Sequence, residues 1–169
     1  MNIHLTKLDL KDAEAITEHM RDKEISDNTL VIPFPYTIED ANIFLQNTLA
    51  FEKENGLQKN FAIRNDDGVL MGIIGLHFNY GLDADKSEFG YWLGKKHWNR
   101  GVMTQAIGLF SEVVKEKYNI KTLEAFVFYF NDTSMRVLEK CGFTKTTDTV
   151  THTKLTGEKI AGIGFRKEI

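Results

Sequence analysis

From Glu88 to Ala106 the chain reads Glu-Phe-Gly-Tyr-Trp-Leu-Gly-Lys-Lys-His-Trp-Asn-Arg-Gly-Val-Met-Thr-Gln-Ala. The pattern is a strand leading through a short basic loop into a helix that opens at about Gly101. A helix start exposes backbone N–H groups without intrahelical acceptors and the positive end of the dipole, which together suit a phosphate or pyrophosphate. Gly101 lets that backbone approach an anion closely. Lys95, Lys96 and Arg100 add positive charge at the same place. On spacing alone, the alternative is a solvated loop that merely joins strand to helix.

The elements around this segment must position it. Ile3 to Leu8 reads as a strand, and Asp9 or Asp12 can cap a helix running to about Arg21. The only two prolines lie in Ile32-Pro33-Phe34-Pro35-Tyr36, a stiff connection that cannot be helix. Thr37 caps the next helix, with Glu39 and Asp40 in its first turn and Ile38, Ala41, Leu45 and Leu49 on one face, ending near Asn55-Gly56. Strand chemistry follows in Asn60 to Arg64, Val69 to Phe78 and Ser87 to Leu93, joined by turns at Asp66-Asp67-Gly68 and Tyr80 to Asp83. These short connections imply an antiparallel meander.

Helix period returns from Val102 to Tyr118, where Met103, Ala106, Ile107, Phe110, Val113 and Val114 share a stripe. Thr122 to Phe130 reads as an aromatic-rich strand, with the run from Phe126 mostly core. Asn131 to Lys140 is a short helix closed by Gly142. Phe143 to Thr151 and Ile160 to Arg166 form a hairpin around Thr156-Gly157. The order β-α-α-β-β-β-α-β-α-β-β predicts a mixed α/β sheet with one strand-helix-strand crossover, as a single domain over residues 1–169.

Composition narrows the function classes. The 169 residues carry 21 Lys plus Arg against 24 Asp plus Glu, a net charge of −3, with 42% apolar and 27% charged residues. That balance argues against disorder and against a dedicated nucleic-acid binder. Cys141 is the only cysteine, so an internal disulfide is impossible and a cysteine-based zinc site nearly so. Cys141 itself, at a helix end, reads as a small buried hydrophobe. His4, His19, His77, His97 and His152 show no ligand spacing, so no metal is expected, and His97 is expected at the surface, the alternative being a place in the phosphate loop. Met1 to Asp12 has no signal-peptide core, and Val69 to Phe78 is far short of a membrane span. The expectation is a reduced, cytoplasmic protein.

Glu88 to Ala106 resembles motif A of the GNAT acetyltransferases, in which strand, loop and helix bind the pyrophosphate of acetyl-CoA. Phe128 to Phe143 is similar to the second CoA-contacting segment of that family. Pro33 to Ala41, with Gly157-Glu158-Lys159 before the last strand, resembles the RimJ/RimL-type branch, named for ribosomal-protein N-terminal acetyltransferases. The match runs nearly end to end. It implies the GNAT acyl-CoA N-acyltransferase fold, a mixed central sheet of about seven strands flanked by about four helices. It also implies acetyl-CoA as co-substrate, no metal, an amine acceptor (a protein N-terminus or a small amine), and a monomer or homodimer. Two positions depart from the usual loop: Trp98 stands where Gln or Arg is common, and Met103 where Gly or Ala admits the cofactor closely. A CoA-binding sensor without transfer is the competing reading.

The resemblance also implies roles. Trp92, Leu93, Trp98, Asn99, Arg100, Gly101, Val102, Met103, Thr104 and Asn131 would contact the cofactor, and main-chain N–H groups near Tyr91 to Leu93 would polarise the thioester. Ser134 would protonate the departing thiolate, although a first-turn polar role in its helix is the alternative. Asn131 can cap that helix as well as touch the cofactor. Glu88 would be the base, acting through water, or else an exposed strand carboxylate. Phe34 and Tyr36 would line the acceptor cleft, or simply pack. An α-amino acceptor, with a pKa of roughly 7.7–8.0, tolerates a weaker base than a lysine near 10.4.

Overall fold

The computed structural model describes residues 2–169; Met1, where the segment read for a leader begins, lies outside them. The elements are β1 (Ile3–Thr6), α1 (Ala13–His19), α2 (Lys23–Asp27), α3 (Ile38–Asn55), β2 (Asn60–Asn65), β3 (Leu70–Leu76), β4 (Lys86–Leu93), α4 (Val102–Tyr118), β5 (Thr122–Phe128), α5 (Asp132–Lys140), β6 (Thr144–Thr153) and β7 (Lys159–Glu168). Hydrogen bonding orders the strands β1-β2-β3-β4-β5-β7-β6, the expected seven-stranded mixed sheet. Five helices form among the described residues rather than about four. The addition, α2, has five residues of which only Ile25 is buried, too short for a helical apolar stripe to show.

The chain falls into two compact units, Met1–Gly75 with Tyr91–Val102, and Leu76–Gly90 with Met103–Ile169. In the first, β1, β2 and β3 form an antiparallel ladder with Leu5 opposite Ile63 and Phe61 opposite Ile74. Its core gathers Leu8, Ile16, Met20, Ala41, Leu45 and Ile73, with Tyr36, Trp92 and Trp98 packed against it. Thr37 and Asp40 form a reciprocal capping box at the start of α3, and Gly56 ends that helix at φ 67°. Asp9 caps a 3-10 turn over Leu10–Asp12. Asp12, at the start of α1, makes no side-chain cap. Its two carboxylate oxygens instead both accept from Arg64 Nη2, at 2.9 and 2.7 Å, and Oδ2 also accepts the Asp9 N–H at 2.8 Å.

In the second unit the start of β4 runs parallel to β5, with Glu88 opposite Glu124, and α4 supplies the crossover. Both β5 and β6 pair with β7, which therefore lies between them. Phe89 is buried with its ring 5.6 Å from Phe110 and 5.5 Å from Phe143. The aromatic run is core only in part. Val127 and Phe128 are buried, but β5 stops at Phe128 and leaves Tyr129 and Phe130 exposed. There the Asn131 N–H turns back onto the Phe128 carbonyl at 2.9 Å and ends the ladder. Among the described residues no helix is long and apolar enough to cross a membrane.

Candidate functional site

The first unit carries the loop between β4 and α4. After Leu93, the Gly94 N–H donates to the Met71 carbonyl at 2.8 Å, and Lys95–His97 makes one 3-10 turn. The Trp98 indole N–H then donates to the Leu93 carbonyl at 2.7 Å, tying the loop to the strand it leaves. Asn99 (φ 60°) and Gly101 (φ 73°) take left-handed backbone on either side of Arg100. At Gly101 a Cβ would meet nothing within 4 Å, so its main chain faces open space. Val102 then starts a 17-residue helix, and the first N–H groups of a helix have no intrahelical acceptor. Asn99, Arg100 and Gly101 are exposed.

Of the expected basic trio, Lys95 is paired with Glu24 at 2.8 Å, so Lys96 and Arg100 supply the exposed charge. The two departures from the family loop both turn inward. Trp98 packs on the first unit's core, and the Met103 side chain is buried, leaving only its main chain at the helix start. Trp92 packs on the same core, and Leu93 and Val102 are buried.

His97 is not a surface residue. It is half-buried, its Nε2 has no hydrogen-bond partner among the described residues, and its ring lies edge-on to His19 at 5.6 Å. Burial first, then His19, Lys96 and Arg100, push its pKa down to about 4. Buried His19 also lies below the ordinary imidazole value, chiefly through burial. Its Nε2–H donates to the Leu70 carbonyl at 2.9 Å, and its other edge fills the space that Gly94 leaves without a side chain. Two neutral imidazoles thus underlie the loop. Nothing in the spacing of His19 and His97, far apart in the chain, announces that pairing.

Phe34 and Tyr36 differ. Phe34, before a cis bond to Pro35, is exposed, with Lys23 Nζ 5.9 Å from its ring centre. Tyr36 packs on the core, and burial followed by the charge of Asp40 pushes its hydroxyl up to about 12.

The second unit carries the remaining residues. Glu88 Oε1 stands 3.5 Å from His77 Nδ1. Asn131 caps α5, its Oδ1 accepting the Ser134 N–H at 3.1 Å. Ser134 is therefore the third helical residue, half-buried, in the first turn. Thr104 lies in the first turn of α4, and its carbonyl accepts the Cys141 thiol at 3.7 Å. Burial raises the pKa of Cys141, which makes it a poor nucleophile. Among the described residues no three His, Cys, Asp or Glu side chains gather for a metal ion.

The fold is a mixed sheet with one parallel strand-helix-strand crossover and a glycine bend at the start of the crossover helix. Residues 2–144 match the acetyltransferase (GNAT) domain family, and the chain belongs to it. It is an acetyl-CoA-dependent N-acetyltransferase. It is 24% identical over 143 residues to the uncharacterized N-acetyltransferase p20 of Bacillus licheniformis, covering 83% of this chain and 78% of that one. Two solved structures share the fold. The microcin C7 self-immunity acetyltransferase MccE, in complex with acetyl-CoA and AMP, superposes with a TM-score of 0.82 at 21% identity, over 99% of this chain and 92% of its own. RimL, a ribosomal L7/L12 alpha-N-protein acetyltransferase in complex with coenzyme A, gives 0.79 at 12% identity, over 100% and 95%.

Proposed function

We propose that this chain is a cytoplasmic acetyltransferase of the RimJ/RimL type, and that its acceptor is a primary amine, either a protein N-terminal α-amine or a small-molecule amine. The observation that carries cofactor binding is the Asn99–Gly101 bend at the start of α4. It combines left-handed backbone, an open position where a Cβ would stand, exposed Arg100 and Lys96, and the helix start at Val102. Those groups fit a pyrophosphate: Gly101, Val102, Met103 and Thr104 would hold it by main-chain N–H groups, and Asn99 and Arg100 by side chains.

In the reaction the amine nitrogen attacks the thioester carbon, an N–C bond forms, and the C–S bond breaks with the electron pair on sulfur. Glu88 would take the amine proton, directly or through water. Ser134, replenished from water, would supply one to the thiolate. Main chain near Tyr91 to Leu93 would polarise the carbonyl, and Asn131 would touch the cofactor arm. Phe34, exposed beside the stiff proline turn, would contact the acceptor, whereas the packing of Tyr36 gives it a framing role. An α-amine, partly neutral at pH 7, suits a water-accessible carboxylate as base. RimL, whose name specifies an N-terminal protein acceptor, has the same fold.

The test is thiol release from acetyl-CoA with serine- and alanine-initiated peptides, spermidine and kanamycin as acceptors. Thermal melting with acetyl-CoA runs beside it, where ligand at about 100-fold over Kd should add roughly 2.7 kcal/mol. A thermal shift with turnover of one acceptor class is expected. A shift without release on any amine would assign the fold to cofactor sensing, and no shift at millimolar acetyl-CoA would overturn the cofactor site.

A further inference from the structure

His77 follows β3 and faces Glu88 on β4, and its N–H donates to the Glu88 carbonyl at 2.8 Å. The side chains meet as well, with Nδ1 3.5 Å from Oε1. An ionised carboxylate only accepts, so this contact is attractive when Nδ1 carries the proton. The imidazole lies over Gly90, where a Cβ would stand 2.8 Å from Nε2 and 3.1 Å from Cε1. Glu88 and Gly90 are two residues apart on one strand and share a face. The main chain of Glu88 is tied on both sides: its N–H donates to Asn79 Oδ1 at 3.0 Å, and its carbonyl accepts the Ser87 hydroxyl at 3.0 Å. The Glu88 side chain is 24% exposed and that of His77 49%, so both reach water.

A partly exposed carboxylate on a fixed strand still samples several rotamers, and few of them present an oxygen usefully to a reacting amine. We propose that His77 is a positioning residue for Glu88. Its Nδ1–H holds Oε1, Gly90 leaves room for the ring, and Oε2 remains as the proton acceptor. This rests on Glu88 being the base. The amine proton passes to Oε2, directly or through one water, as the N–C bond forms and the C–S pair leaves with sulfur. Glu88 then returns the proton to solvent, and His77 keeps the same proton throughout.

The experiment compares kcat and KM of the full chain for His77→Ala, His77→Gln, Gly90→Ala, Glu88→Gln and the His77→Ala/Gly90→Ala pair. A serine-initiated peptide serves as acceptor, with spermidine and kanamycin beside it. His77→Ala should lower kcat about tenfold, with KM for acetyl-CoA unchanged. His77→Gln, whose amide can still donate, should recover most of the loss. Gly90→Ala should displace the ring and lower kcat, yet add nothing in the His77→Ala background. Independently of any acceptor, the 15N shifts of the His77 ring should report a protonated Nδ1, and Glu88→Ala should remove that preference. Unchanged kcat in His77→Ala, equal losses in both His77 variants, or additive losses in the pair would each overturn the proposal. If Glu88→Gln lowers kcat while His77→Ala does not, only the positioning role fails. Full turnover in Glu88→Gln removes the base and this role together.

Discussion

At the scale of single residues, the local chemistry of α5 separates two roles that its sequence leaves entangled. Asn131 is the cap, and Ser134 receives the cap through its N–H. The Ser134 hydroxyl is thus not needed for the Asn131 cap. Ser134→Ala should accordingly leave the Asn131 cap in place, since that cap uses the residue's main-chain N–H. It should lower kcat by about 100-fold if its hydroxyl is the general acid, with the Kd for acetyl-CoA nearly unchanged. Calorimetric binding beside steady-state thiol release measures both, and equal kcat would remove Ser134 from the chemistry. Asn131 and Gly101 are legible in sequence because a cap and a left-handed bend are demands of the local backbone. Trp98, Met103 and His97 are not, because a side chain's direction depends on distant neighbours. Trp98 is drawn to Leu93 and the first unit's core, and His97 to His19.

At the scale of elements, the loop from Gly94 to Gly101 is the informative case. Its sequence shows a basic, glycine-bearing strand-to-helix connection, and the structure adds the neutral histidine pair beneath it. Both imidazoles lie below their ordinary value of 6.5, His97 at about 4. The unfolded chain therefore binds their protons before the folded chain does. Their contribution is complete above about pH 6.5 and is lost as pH falls through that value toward about 4. The melting temperature should drop over that window, and His97→Leu should drop less steeply than the unmodified protein between pH 7 and 4.5. Parallel curves would place the acid sensitivity elsewhere. Two other element features escaped the sequence reading for physical reasons. The helix α2 has only one buried residue, Ile25, to mark a face. The run past Phe128 keeps its aromatic, strand-like composition while a turn ends the ladder.

At the scale of the whole molecule, the first unit gathers its own apolar core and also buries an ion pair. The Asp12 and Arg64 side chains are only 5% and 15% exposed and joined by two short bonds. Removing one partner strands a buried charge, so Asp12→Ala should cost about 3–5 kcal/mol. The Asp12→Leu/Arg64→Met pair, which removes both charges, should recover much of that. Denaturant unfolding of the three proteins measures it, and equal losses in single and double variants would show that packing, not charge, sets the cost.

The sequence by itself determined the elements other than α2 and the end of β5, the crossover around α4, the impossibility of an internal disulfide, and the acetyltransferase family. All of these follow from periodicity, composition, and motifs whose spacing is local along the chain. Only the tertiary structure decided that β7 pairs with β5, that Lys95 is spent on Glu24, that Trp98 and Met103 turn inward, and that His77 stands against Glu88 over Gly90. Each of these is a meeting of residues from different elements. Strand order, burial and side-chain direction belong to the packed chain, and no short window of residues contains them.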